Sequence, residues 1–259
     1  VVTISYLIFL LAGFVTGVIT GLVGASAIVV FIPFVLLFLN YSIFALIGVS
    51  LAVDAFVSLL AIFVYRKFKN IDFKTGFYLA IPAVVGAILG SYFSKFLPNT
   101  NLLWISSLLT AFTGILIYKR KIGPKEVYSR KDYSKTKFII GMILAFFVGL
   151  LGGAFGGAGG IAIFLLLVFF FNFETHHAIG TSIFVMFFIA LFGSIAHIPR
   201  IDAMGFHWEL LIFAVVGGIL GALFSSRLAN LVSEKRLNKI SGIILFLLGI
   251  LTFVYRILM

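Results

Sequence analysis

Gly149-Leu150-Leu151-Gly152-Gly153-Ala154-Phe155-Gly156 leads into a short apolar stretch, then Asn172, then Gly180-Thr181-Ser182. The same order occurs once before, in the first half of the chain: Gly17-Val18-Ile19-Thr20-Gly21-Leu22-Val23-Gly24, a short apolar stretch, Asn40, and Gly48-Val49-Ser50. The spacing that carries Gly17 onto Gly149 also carries Gly21, Gly24, Asn40, Gly48 and Ser50 each onto an identical residue. Further on, Gly86-Ala87-Ile88-Leu89-Gly90-Ser91-Tyr92-Phe93-Ser94 matches Gly217-Gly218-Ile219-Leu220-Gly221-Ala222-Leu223-Phe224-Ser225. Both halves close alike, in Gly114-Ile115-Leu116 and Gly249-Ile250-Leu251. Two copies of one unit in so apolar a chain predict a bundle built from internal repeats.

The chain is 63% hydrophobic and 10% charged, against about 25% charged in a soluble domain. Phe alone supplies 32 of 259 residues. This composition makes an all-α integral membrane protein, with room for about ten segments of about 20 residues. The first segment lacks a basic flank and a small-residue cleavage site, so it reads as a spanning segment and not a signal peptide. Zero Cys removes disulfides, thiolate metal sites and cysteine catalysis. The net charge of +11 could suggest nucleic acid, but its distribution fits the positive-inside rule. Of 19 Lys and Arg, eight lie in 119–137, four in 66–74 and four in 227–239. No nucleic-acid partner is expected; the lipid bilayer is.

Apolar segments read at about 4–23, 25–39, 43–65, 75–97 and 101–118, then 138–155, 158–171, 177–198, 207–228 and 238–258. The expected organisation is a first five-helix repeat (1–118), a basic cytoplasmic linker (119–137) and a second five-helix repeat (138–259). An odd number of segments inserts the second copy inverted relative to the first. With both termini extracytoplasmic, all three basic clusters fall inside the cell, leaving only Lys95, Arg200 and Arg256 elsewhere. The expected location is the cell membrane.

The second segment of each copy is too short to span. Ala25–Leu39 and Ala158–Phe171 hold 15 and 14 residues, against about 20 needed. Each follows dense glycine. Short, glycine-interrupted segments at matching places in two halves point to a transporter's binding site. Glycine lets the helix break and lets backbone approach a ligand. A half-helix N-terminus at membrane depth presents unpaired N–H groups and a positive dipole end, suited to an anion. The competing reading is close helix packing of the small-xxx-small kind. The candidate substrate-binding residues are Gly24, Ser26, Gly156, Gly157 and Gly159, with the hydroxyls of Ser50, Thr181 and Ser182 beside the breaks. Such hydroxyls can donate to an anion, or bond back to their own helix.

Asp54 is the one acidic residue near the centre of a segment. A carboxylate there faces a cavity or a partner, which makes Asp54 the candidate for proton coupling. Its counterpart at the repeat spacing is Met186. Asn40 and Asn172 read as turn or helix-end residues. His176 and His177 diverge on a helix and make a poor metal site, so no metal and no cofactor are expected. His197, Arg200 and His207 read as solvated groups near the outer surface, or as an anion-attracting exit. Gly24-Ala25-Ser26-Ala27 has a Gly-x-Ser core reminiscent of rhomboid intramembrane proteases. Ala27 replaces their final Gly and no His sits mid-segment, so an enzyme is not expected. No Walker motif is present, so the chain carries no ATPase of its own.

The glycine-rich entry, short segment and Gly-[Val/Thr]-Ser element, used twice, resemble the sulfite exporter TauE/SafE family, also called TSUP. The second copy matches best: Gly152-Gly153-Ala154-Phe155-Gly156-Gly157-Ala158-Gly159-Gly160, then His177-Ala178-Ile179-Gly180-Thr181-Ser182. The first copy departs at Ala25-Ser26-Ala27 and at Val49. The resemblance covers nearly the whole chain. It implies a secondary carrier of sulfite, sulfonates or related sulfur-containing anions, usually outward. The expected mechanism is alternating access by movement of one copy against the other. The alternative within transport is an anion channel.

Overall fold

A run of about 20 apolar residues in lipid must satisfy its own backbone, and the α-helix does so within one segment. The computed structural model describes residues 2–24, 26, 28–39, 41–94, 108, 111–112, 114–119, 134–155, 158–203 and 206–258. In chain order it holds α1 (Val2–Val23), α2 (Ile28–Leu36), α3 (Ile43–Lys67), α4 (Phe73–Phe93), α5 (Lys135–Phe155), α6 (Ala158–Leu165), α7 (Thr175–Ala203), α8 (Trp208–Leu231) and α9 (Glu234–Leu258). A π-helical turn, Leu166–Phe170, extends α6. Among the described residues six helices are long and apolar enough to cross a membrane: α1, α3, α4, α5, α7 and α8. With bulky apolar side chains such as Phe63, Ile212 and Phe224 more than half exposed, this is a multi-pass membrane protein. The two segments read as too short are indeed short helices, nine residues in α2 and eight in α6. Of the fifth segment read at 101–118, only part lies within the described residues, and most of the 119–137 linker lies outside them.

The third helix of each half forms the centre. The apolar stretches of α3 and α7 are each 72% buried, against 33% for that of α5, and the two pack against each other. Around them α1 lies along α8, and α4 lies along α5. Thus the first helix of each half packs on the fourth helix of the other. Glycine makes these approaches close. A Cβ on Gly17 would strike the Gly218 carbonyl, and one on Gly221 the Phe14 carbonyl. Across the other pair, Gly149 faces the Ala83 carbonyl and Gly86 the Phe146 carbonyl. Without a hydrophobic force between helices in lipid, such backbone-to-backbone packing is a main source of association. A rigid movement of one copy against the other would pull α1 from α8 and α4 from α5.

These contacts also correct the alignment of the fourth segments. Phe14 and Phe146 are related by the same spacing as Gly17 and Gly149, so the glycines that meet them, Gly221 and Gly86, are the equivalent pair. Gly86 therefore matches Gly221 and not Gly217. The reason lies upstream. The starts of α3 and α7, Ile43 and Thr175, keep the Gly17-to-Gly149 spacing, but the starts of α4 and α8, Phe73 and Trp208, stand three positions further apart. Three residues enter the second half in between, where α7 runs 29 residues against 25 in α3. A glycine pattern with a four-residue period aligns almost as well when slipped by one helical turn. The longer spacing continues to the end: Gly114 meets the Phe246 backbone, and its counterpart Gly249 meets the Ala111 backbone.

Candidate functional site

α1 ends because Gly24 turns left-handed, with φ +69, a conformation costing other residues about 1–2 kcal/mol. The Gly24 amide still donates to the Thr20 carbonyl at 2.8 Å, closing the last turn. Beyond it α2 begins at Ile28 and packs against α1. Ser26, between the two helices, is buried and donates through its hydroxyl to the Asp54 carboxylate of α3, itself fully buried. The carboxylate is thus held close to the N-terminus of α2.

The second break lies against the first. Gly160 is in the first turn of α6. A Cβ there would come within 2.6 Å of the Gly24 carbonyl oxygen, 3.3 Å of the Ser26 nitrogen and 2.5 Å of Met186 Sδ. The N-terminal ends of both short helices therefore meet at one junction, which Asp54 and Met186 flank from the two central helices. Each end carries N–H groups without intrahelical acceptors and the positive end of a helix dipole. Among the residues whose side chains are described no Lys or Arg is buried. What the described residues offer an anion at the junction is backbone N–H groups and helix dipoles, not side-chain charge.

The sulfite exporter TauE/SafE family matches residues 9–252 of this chain. The chain belongs to that family. It is 26% identical to a probable membrane transporter protein, YunE, of Bacillus subtilis, over 95% of this chain and 96% of YunE. It is 28% identical to a second, YdhB, over 88% of this chain and 92% of YdhB. A probable membrane transporter protein of Methanocaldococcus jannaschii is 25% identical, over 88% of this chain and 86% of its own. No solved structure matches.

In this TauE/SafE member the junction gathers part of the residue set expected from sequence. Gly24, Ser26 and Asp54 are there, and a Cβ on Gly24 would lie 2.8 Å from Ser182 Oγ. Ser182 spends its proton on the Ile179 carbonyl of its own helix, at 2.9 Å. Ser50, its counterpart, does the same with the Ile47 carbonyl at 2.8 Å. Thr181 points away from the junction: its hydroxyl accepts the Asp72 amide at 3.0 Å and fixes the start of α4. Gly159 packs on Ile189 of α7 and on Gly152 with ordinary contacts of 3.5–3.7 Å. Gly156 and Gly157 lie outside the described residues, as does Asn40. Asn172 adopts a left-handed turn, with φ 56. His177 pairs with Glu174 at 3.8 Å, and His176 meets the Val232 carbonyl at 3.0 Å.

His197 departs from its expected solvated position. It is 1% exposed, with Nε2 at 3.2 Å from the Gly153 carbonyl. Three extra residues on α7 carry the helix end outward and leave His197 a full turn inside it. Side-chain details of Arg200 lie outside the described residues, and His207 is exposed. Sequence reasoning also missed Gly160 as the contact point of the two breaks. Its signal is present in the glycine run but no more pronounced than at its neighbours.

Proposed function

We propose that this protein is a secondary active transporter, and not an enzyme, moving sulfite, an organosulfonate or a related sulfur-containing anion across the cell membrane, as an exporter. The observation that carries this reading is the junction at Gly24, Ser26 and Gly160. Two half-helix N-termini converge there in a buried setting where no Lys or Arg side chain among the described residues competes. Family membership supports the substrate class. Gly156 and Gly157, with Gly159, Ser50 and Ser182, complete the anion's surroundings from the second break and the central helices. Thr181 serves by fixing α4 against α7.

Two inverted repeats of five segments, 1–118 and 138–259, joined by a cytoplasmic linker at 119–137, are the architecture that best supports alternating access. Reciprocal packing of α1 on α8 and of α4 on α5 supports a twofold relation between the halves. Substrate flux decides the class. Purified protein in liposomes is expected to exchange sulfite at carrier rates, saturably, and to show competition by thiosulfate or sulfonates. Currents far above carrier rates in a bilayer would establish the anion channel instead, and absence of any sulfur-anion flux would overturn the substrate class.

Both termini are placed extracytoplasmically, because 16 of the 19 basic residues then face the cytoplasm. Tags at either end are expected to be labelled by membrane-impermeant reagents from outside intact cells. A cytoplasmic C-terminus would sink the scheme of five segments in each inverted copy.

A further inference from the structure

A helix that breaks leaves carbonyls without donors, and in lipid each must be satisfied. In α1 the Thr20 carbonyl takes the Gly24 amide. The next carbonyl, Gly21, accepts from Tyr65 of α3: the phenol donates at 2.9 Å from a fully buried ring. In the second half the Gly153 carbonyl lies 3.2 Å from His197 Nε2 of α7. A carbonyl only accepts, so Nε2 carries the proton. The repeat spacing that carries Gly21 onto Gly153 also carries Tyr65 onto His197. Two unlike side chains therefore do one job at equivalent places.

The two side chains share a second contact. A Cβ on Gly180 would lie 2.9 Å from Tyr65 Cδ1, and one on Gly48 would lie 2.9 Å from His197 Cβ. Gly48 and Gly180 are again related by the repeat, each two positions before Ser50 or Ser182. Each side chain thus sits in a glycine notch of the opposite central helix while its polar atom holds the end of a first helix. Side-chain identity differs, but donor, acceptor and notch keep their positions between the halves.

We propose that Tyr65 and His197 are a repeat-related pair of positioning residues, each fixing where its first helix breaks and the short helix begins. They act through Gly21 and Gly153, and so through the placement of the two short-helix N-termini. The inference rests on the reading of that junction as the anion site. The halves are not equally dependent on the pair, because Ser91 Oγ also donates to the Gly153 carbonyl, at 3.1 Å.

The test uses Tyr65→Phe and His197→Phe, which delete the donor, and His197→Tyr, which restores one by the means the first half uses. Two readouts are taken on the full chain: sulfite affinity, and amide hydrogen exchange of peptides covering 20–26 and 152–158 without sulfite. Tyr65→Phe is expected to weaken sulfite binding about tenfold and to speed exchange of 20–26. His197→Phe is expected to act on 152–158 alone and more weakly, about threefold, since Ser91 remains. His197→Tyr should return both readouts toward the parent. Unchanged local exchange in both Phe variants, or a His197→Tyr protein no better than His197→Phe, overturns the proposal. If the parent protein binds no sulfite, the substrate reading fails by itself, and the exchange pattern alone decides the positioning role.

Discussion

Gly160→Ala is expected to cut sulfite affinity by at least about 100-fold, or about 2.7 kcal/mol, in a protein that still folds. The added Cβ would stand 2.6 Å from the Gly24 carbonyl oxygen and 3.3 Å from the Ser26 nitrogen. Both neighbours are backbone, one of them at the left-handed Gly24. The flexible Met186 thioether can turn aside; the Gly24 peptide cannot without disturbing its left-handed turn. Relief comes by parting α6 from the first break, which separates the two clusters of N–H groups. Overpacking costs about 1–3 kcal/mol, of the same order as the affinity lost. Gly193→Ala is the control, because its Cβ would meet only the movable Leu51 side chain at 3.3 Å and Ser91 Oγ at 3.8 Å. Calorimetric titration with sulfite, beside thermal melting, separates lost binding from lost fold. A folded Gly160→Ala protein that binds sulfite within about threefold of the parent leaves these glycines as packing residues only.

The spacing of glycines is enough to locate both helix breaks. Glycine is the residue whose absence of a side chain decides backbone geometry, so its pattern survives as sequence. The short helices are legible for a related reason, since an apolar run bounded by glycine and asparagine has a length that can be counted. What is illegible depends on partners distant in the chain. Ser26 and Asp54 are 28 residues apart and on different elements, so their bond has no local signature. Tyr65 and His197 share a role but not an identity, and a search for repeated residues passes over them. The fourth helices misalign by one turn because a four-residue glycine period is nearly self-similar. Ser50, Ser182 and Thr181 can be judged from sequence only by residue type, and hydroxyls in helices have local carbonyls within reach. Only the fold shows that Thr181 looks toward Asp72 instead.

Asp54→Asn is expected to retain sulfite exchange and to abolish flux driven by a pH gradient. Asp54 accepts a hydrogen bond from Ser26 beside the first break, and among the residues whose side chains are described no Lys or Arg is buried. An anion at the junction would put a second negative charge close to this carboxylate in a low-dielectric setting, where like charges disfavour joint ionisation. We propose that the anion enters only when Asp54 carries a proton, so that proton and monoanion cross together. Loading is favoured on the acidic side and release on the alkaline side, so a one-unit gradient supports at most about tenfold accumulation of a monoanion in the alkaline compartment, about 1.4 kcal/mol. With an acidic exterior, export therefore runs only while the outward sulfite gradient exceeds that ratio. Asn keeps the shape and an acceptor oxygen for Ser26 but cannot take up and release a proton over the transport cycle. Its ratio should stay near unity whatever the gradient, while exchange between equal sulfite pools continues. Met186 at the repeat-related position means that only the first half can do this, giving one proton per cycle. Liposomes with a set pH difference and labelled sulfite measure both quantities. Undiminished gradient-driven accumulation by a stable Asp54→Asn protein removes Asp54 from coupling and leaves a facilitator driven by the substrate gradient alone.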